Sequence, residues 1–164
     1  MPTITPNLWF DTEALEAAEF YVSVFPNSSI DQVTRYTAAG PGPEGSVVTV
    51  AFTLDGNRFV GINGGPMFTF SEAISMEISC RDQAEVDYYW DALLEGGGEE
   101  SQCGWLKDRY GLSWQVVPDA LAELFGGDDR ERADRATRAM FPMRKLDLAT
   151  LVAAADGVSV TTGV

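Results

Sequence analysis

Along the first 118 residues, runs of alternating or β-branched character are interrupted by two stretches in which apolar side chains recur at helical spacing. Residues 4–10 predict a first strand. Asp11 or Thr12 then offers an N-cap, and Ala14, Ala18, Tyr21, Val22 and Phe25 mark one face of a helix that Pro26-Asn27 ends. Residues 30–37 read as a strand and 39–45 as a loop rich in glycine and proline. Residues 46–54 and 58–63 then form a strand pair about Asp55-Gly56-Asn57, because Asp-Gly supplies the positive φ angles that tight hairpin turns require. The order is β-α-β-β-β.

Gly64-Gly65-Pro66 breaks the pattern, Phe68 and Phe70 follow, and residues 73–80 predict another strand. Asp82 with Glu85 three residues on resembles a capping box, and Val86, Tyr89, Trp90, Leu93 and Leu94 lie on one helical face that ends at Gly96-Gly97-Gly98. A short strand at 99–102 precedes a hairpin of residues 103–108 and 112–117, joined at Asp108-Arg109-Tyr110-Gly111. This second β-α-β-β-β carries a faint echo of the first, Phe10-Asp11 then Glu19-Phe20-Tyr21 against Arg81-Asp82 then Asp87-Tyr88-Tyr89. Helical segments are expected at 119–125, 128–140 and 147–155, with 158–164 as a frayed tail. The predicted class is α+β, one domain over residues 1–157 with modules at about 3–64 and 73–118 and C-terminal helices at 119–157.

Composition narrows the chemistry. With 25 acidic against 11 basic residues the net charge is −14, which removes the attraction on which nucleic-acid and anionic-membrane binding rests. The basic residues at 130–145 are interleaved with acids, the pattern of a solvated helix. The chain has no histidine, so serine–histidine and cysteine–histidine nucleophiles and histidine-liganded metals are excluded. Cys80 and Cys103 are expected to be small buried hydrophobes, since a thiol without a histidine base is a poor nucleophile. No apolar run reaches the ~18 residues of a membrane span. Met1-Pro2-Thr3 leads into strand-like sequence with no charged, then apolar, leader, so the cytoplasm is the expected compartment.

Two β-α-β-β-β modules of this length resemble the vicinal oxygen chelate superfamily, the glyoxalase and bleomycin-resistance fold. More narrowly, NGGPMFTFSEAIS at 63–75, CRDQAEVDYYWDALLEGGGEE at 80–100 and CGWLKDRYGLSWQVVP at 103–118 resemble the PhnB-like branch, whose members often carry the label 3-demethylubiquinone-9 3-methyltransferase. The resemblance implies a cup-shaped mixed sheet holding a small molecule, and a homodimer, since such cups are commonly completed by pairing modules within one chain or across a two-fold axis. In the superfamily's metalloenzymes four strands each supply one ligand. Carried over, those places fall near Thr5 or Pro6, near Asn63, at Ser75 and at Gln115. None is a carboxylate or an imidazole, so no metal and no cofactor is expected. The methyltransferase label implies a glycine-rich strand-to-helix loop in a doubly wound parallel sheet, whereas Gly96–Gly98 follows a helix and Gly64-Gly65 joins two strands.

Strand parity then selects the residues expected to face the cup. Ile74, Met76, Ile78 and Cys80 should face a helix, leaving Ser75, Glu77 and Ser79 toward the cavity. Gln115 should share that side with Ser113 and Val117, while Leu112, Trp114 and Val116 go to the core. Trp105 and Lys107 share a face of the hairpin, Trp9 is expected inward on the first strand, and Phe59 and Asn63 inward on the fourth. The candidate ligand-binding set is Trp9, Phe59, Asn63, Ser75, Trp105, Lys107 and Gln115: aromatic walls with a few polar groups. Glu77 is the candidate catalytic residue, a general acid or base if poorly solvated. The alternative for Glu77 is a salt bridge to Lys107 or Arg109. Binding or sequestration of a small molecule without metal is the leading function; an isomerase or lyase acting through Glu77, the methyltransferase of the label, and a metalloenzyme with unusual ligands are the alternatives.

Overall fold

A computed structural model describes residues 2–158. The chain forms two compact units, one through Phe70 and one from Ser71 onward. The first contains β1 (Asn7–Phe10), α1 (Ala14–Val24), β2 (Ser29–Arg35), β3 (Val47–Leu54) and β4 (Asn57–Asn63). The second contains β5 (Ser75–Cys80), α2 (Gln83–Leu94), β6 (Glu99–Glu100), β7 (Trp105–Lys107) and β8 (Ser113–Pro118), followed by α3 (Leu121–Gly126), α4 (Arg130–Met140) and α5 (Leu148–Ala155). The expected tail at 158–164 lies, beyond Val158, outside the described residues.

Each unit builds a four-stranded mixed sheet of one topology, β1-β4-β3-β2 and β5-β8-β7-β6. In both, the first strand pairs in parallel with the last, and the intervening pairs are antiparallel. A parallel pair cannot be closed by a tight turn, so the helix crosses over between the two strands and covers one face of its sheet. The repeat is exact in register: Phe10 is opposite Asn63 at the end of β1, and Cys80 is opposite Pro118 at the end of β5.

In the first unit the buried face is Leu8, Phe10, Val50, Phe52 and Leu54 against Ala14, Ala17, Ala18, Tyr21 and Val24 of α1. The tight approach is visible at Gly61, where a side chain would meet Ala14 Cβ at 3.1 Å. The β3–β4 turn has the expected chemistry, Asp55 at φ 43° and Gly56 at φ 77°. The start of α1 differs from expectation. Neither Asp11 nor Thr12 is the N-cap; Glu13 is, without a side-chain cap, and Asn63 Oδ1 of β4 instead accepts the Ala14 N–H at 2.8 Å.

In the second unit α2 lays Val86, Trp90 and Leu93 over Ile78, Cys80, Leu106, Trp114 and Val116. Asp82 caps α2 as expected, accepting the Glu85 N–H at 3.0 Å. The first strand of the hairpin, expected from residue 103, starts only at Trp105, because Cys103 (φ 56°) and Gly104 (φ 83°) both turn left-handed. Their N–H groups donate to Met143 and Arg144 carbonyls at 2.8 Å each, and Gln83 bonds Leu146 and Leu148 backbone at 3.0 and 2.8 Å. These bonds tie the C-terminal helices to the module. The helices carry their own core of Leu121, Leu124, Ala136, Leu146, Leu151 and Ala155.

The hairpin turn is organised by Asp108, which is 3% exposed. One carboxylate oxygen accepts the Tyr110 and Leu112 N–H groups at 2.8 and 3.1 Å, and the other accepts Trp114 Nε1–H at 2.8 Å. Asp108→Asn keeps the volume but turns an amide N–H toward one of these donors. We expect it to lower unfolding free energy by about 2 kcal/mol in urea titration, and a loss under about 0.5 kcal/mol would show that the network is dispensable. Burial, reinforced by Glu85, Asp119 and Asp82, pushes the Cys80 thiol up to about 12. A thiol reagent at pH 8 should therefore modify Cys80 only after denaturation, and labelling at Cys80 in the native protein would contradict its burial.

Candidate functional site

The face of the second sheet away from α2 gathers five of the expected residues. Register puts Glu77 beside Gln115 and Gln115 beside Trp105, making one row across β5, β8 and β7. The next row is Ser75, Ser113 and Lys107, again in register across the same strands. The rows are linked by Gln115 Nε2, which donates to Ser75 Oγ at 2.9 Å. This parity is forced by β8, where Trp114 and Val116 alternate with Ser113 and Gln115 and are buried under α2.

Beside these rows lies a cleft of about 120 Å³, whose lining includes Glu72, Glu99, Trp105, Lys107 and Ser113. Lys107 Nζ is 2.6 Å from Glu72 Oε1. That bond raises the Lys107 pKa, with Glu99 adding to the effect, and lowers that of Glu72, so both remain charged around neutrality. Glu100 is held below the usual range by Arg144 at 3.1 Å and by Trp90 Nε1–H. Ser113 is 1% exposed, and its hydroxyl has no hydrogen-bond partner among the described residues. A buried hydroxyl without a partner is uncommon, because desolvation is then uncompensated.

Glu77 is neither desolvated nor bridged. It is exposed and makes no hydrogen bond or ion pair among the described residues. The salt bridge considered for it is made instead by Glu72, which the sequence pattern does not single out, any more than it does Glu99; Ser113 is on the face expected for it but outside the expected ligand set. Glu99 could have been found by extending the hairpin one strand back, since it pairs with Lys107. Glu72 lies outside any strand, where periodicity gives no signal.

The first sheet corrects the parity expected there. Phe59 stacks on Phe52 with centroids 5.6 Å apart, and Phe52 in turn stacks on Tyr21 of α1. Phe59 therefore faces the helix. Asn63 does too, with Oδ1 on the Ala14 N–H and Nδ2 donating to the Val47 carbonyl at 3.2 Å. Trp9 is on the opposite face, in register with Ile62, its Nε1–H donating to the Gly65 carbonyl at 2.9 Å and its ring edge-on to Phe68 at 5.1 Å. The physical reason is that Phe59, Val60 and Ile62 are all apolar, so β4 carries no alternation to fix its phase. By the register of the repeat, the first-unit counterpart of Gln115 is Val60 and that of Trp114 is Phe59.

The positions implied for metal ligands do not fit a divalent ion. Asn63 has both amide atoms engaged by the protein, Gln115 and Ser75 bond to one another, and Thr5 and Pro6 supply no charged oxygen. No group of three or more His, Cys, Asp or Glu that could hold a metal occurs among the described residues. Neither sheet is doubly wound and parallel. No helix among the described residues is long and apolar enough to cross a membrane.

Comparison with known proteins agrees with this architecture. The model of the 3-demethylubiquinone-9 3-methyltransferase family matches residues 2–117. A Bacillus cereus PhnB protein carrying the same description is 36% identical, with a TM-score of 0.65 over 71% of this chain and 99% of its own. Protein PA1353 of Pseudomonas aeruginosa is 18% identical, with a TM-score of 0.59 over 72% and 98% of the two chains. The fosfomycin-resistance protein FosX of Listeria monocytogenes, crystallised with Mn(II) and sulfate, is 13% identical, with a TM-score of 0.52 over 74% and 93%. At those last two identities the likeness is one of fold. No curated protein matches the chain. The chain thus belongs to the PhnB-like family described as 3-demethylubiquinone-9 3-methyltransferases, and its paired modules carry the glyoxalase-like fold.

Proposed function

We propose that the face of the second sheet away from α2 binds a small organic molecule, without a divalent metal ion, and that binding is the working activity of the chain. The observation that carries this reading is the convergence of Ser75, Glu77, Trp105, Lys107 and Gln115 on one face beside a cleft in which Ser113 finds no partner among the described residues. A half-buried indole supplies apolar area, and the amide, hydroxyl and ammonium groups supply orientation. Phe59 and Asn63 face α1 and are left out of the site, and Trp9 serves the first sheet separately. Metal independence rests on the donor chemistry at Ser75 and Gln115. The free thiols Cys80 and Cys103 suit a reducing compartment such as the cytoplasm.

A second reading makes Glu77 a general acid or base, or the family's named methyl transfer its reaction. The position of Glu77 next to Gln115 favours the acid–base version, since a carboxylate beside an amide can hold a carbonyl compound between them. Its solvent exposure counts against this version, since no apolar pocket encloses the carboxylate.

A thermal-shift screen of small carbonyl, aromatic and amphiphilic compounds tests the first reading. Hits should raise Tm equally with and without EDTA, should lose the shift on Trp105→Ala, and should keep it on Glu77→Gln. A hit that survives Trp105→Ala, or that EDTA abolishes, would remove the reading. Turnover of a hit that disappears on Glu77→Gln while its binding persists would favour the enzyme.

The chain also pairs with a second copy in this reading. Met67 and Phe68 are 76% and 58% exposed side by side after β4, apolar surface that a second copy could cover. Light scattering should give about twice the 17.8 kDa chain mass; a monomer at micromolar concentration would contradict it.

A further inference from the structure

The ligand site of the second sheet has a charge preference written into its cleft, and this inference rests on the reading of that face as a ligand site. Among the described residues Lys107 is the only basic side chain lining the cleft, against the carboxylates of Glu72 and Glu99. Lys107 is already neutralised, since its Nζ lies 2.6 Å from Glu72 and Glu99 sits directly opposite it across the β6–β7 pair. Glu100 is matched by Arg144 at 3.1 Å. Glu99 is left as a carboxylate with no ion pair of its own within 4 Å among the described residues. An anion would have to break the Lys107–Glu72 pair and then sit against Glu99.

A cation meets the opposite conditions. With Glu72 taking up the Lys107 charge, Glu99 leaves the rim one negative charge in surplus, and the Trp105 indole supplies a π face, which attracts ammonium and guanidinium groups. Ser113 supplies a buried oxygen that lacks a partner, and a positively charged nitrogen donates hydrogen bonds without needing to accept any. At −14 the whole chain draws cations toward it. The volume of about 120 Å³ is well below the ~300–1,000 Å³ of clefts for drug-sized ligands, so a small group is held. We propose that this cleft recognises a small organic monocation of the primary ammonium class, either free or as the head of a longer ligand, with Glu99 as its counter-ion, Trp105 as its wall and Ser113 Oγ as its buried acceptor.

The test uses three matched probes, n-butylammonium, n-butanol and butyrate, titrated into the full chain while the indole N–H resonance of Trp105, assigned by its loss in Trp105→Phe, is followed. The ammonium should bind about two- to fivefold more tightly than the alcohol, and butyrate more weakly than either. Glu99→Gln should abolish the advantage of the ammonium and leave the alcohol unchanged. Because Glu99 is exposed, that variant has little reason to misfold. Raising the salt should shrink the ammonium's advantage. Equal affinity for ammonium and alcohol, or butyrate binding best, overturns the cation preference while leaving the site itself standing. Retention of the advantage in Glu99→Gln overturns the assignment of the counter-ion. Silence of Trp105 toward all three overturns the inference and counts against the general ligand site as well.

Discussion

The constraint on which both modules depend is the parallel pairing of first strand with last. A parallel pair demands a crossover long enough to hold a helix, and the helix then occupies one face of its own sheet. Everything else about the faces follows from parity. In the second unit α2 claims Ile78, Cys80, Leu106, Trp114 and Val116, so the intervening residues Glu77, Trp105, Ser113 and Gln115 are left on the other side. Apart from Glu72, which a connecting segment supplies, the proposed site is the remainder of a sheet after a helix has covered half of it, which is why its polar groups come in cross-strand rows.

The same constraint explains which parts of the architecture were legible in the sequence. The element order was readable because turns and caps carry their own chemistry: Asp55-Gly56 adopts the positive φ angles, and Asp82 accepts from Glu85. Faces were readable only where a strand alternates. Strand β8 does, through Ser113-Trp114-Gln115-Val116, and the residues predicted from it came together. Strand β4 does not, and Phe59 and Asn63 went to the helix side, where Phe59 packs on Phe52 and Asn63 caps α1. The cap shows how the two errors are linked. The local caps Asp11 and Thr12 were displaced by an amide from a strand 49 residues later, and no local pattern announces such a partner. Ser113 was legible as a residue of this face but not as a buried hydroxyl without a partner, and Glu72 was not legible at all: burial and pairing by a connecting segment are both tertiary facts.

The family match ends at residue 117, and the three C-terminal helices lie beyond it. They nevertheless belong to the same compact unit as the second sheet. Their attachment is made at Cys103 and Gly104, through the Met143 and Arg144 carbonyls, and at Gln83, through Leu146 and Leu148. Gly104 is required there: a side chain would meet Leu146 Cδ1 at 3.0 Å and the Val116 carbonyl at 2.9 Å, besides the cost of φ 83°. The helices thus fix the backbone immediately before Trp105, at the edge where the sheet is thinnest and β6 contributes only Glu99 and Glu100.

That edge is also where charge is arranged against the expectations of a mainly acidic chain. Arg144, carried by the C-terminal segment, neutralises Glu100 and leaves Glu99, on the opposite face of the same two-residue strand, as the exposed charge beside Lys107. Alternation within β6 therefore separates a structural carboxylate from an available one. Glu100 turns toward Trp90 and the helix side, where its hydrogen bonds serve the fold. Glu99 lies in the row of Lys107 and Ser113, where a carboxylate has no structural bond to make. The backbone of Glu99 pairs with Lys107, while its side chain makes no hydrogen bond or ion pair within 4 Å among the described residues, in a cleft that also buries a hydroxyl without a described partner; these two features are what the proposed ligand would complement.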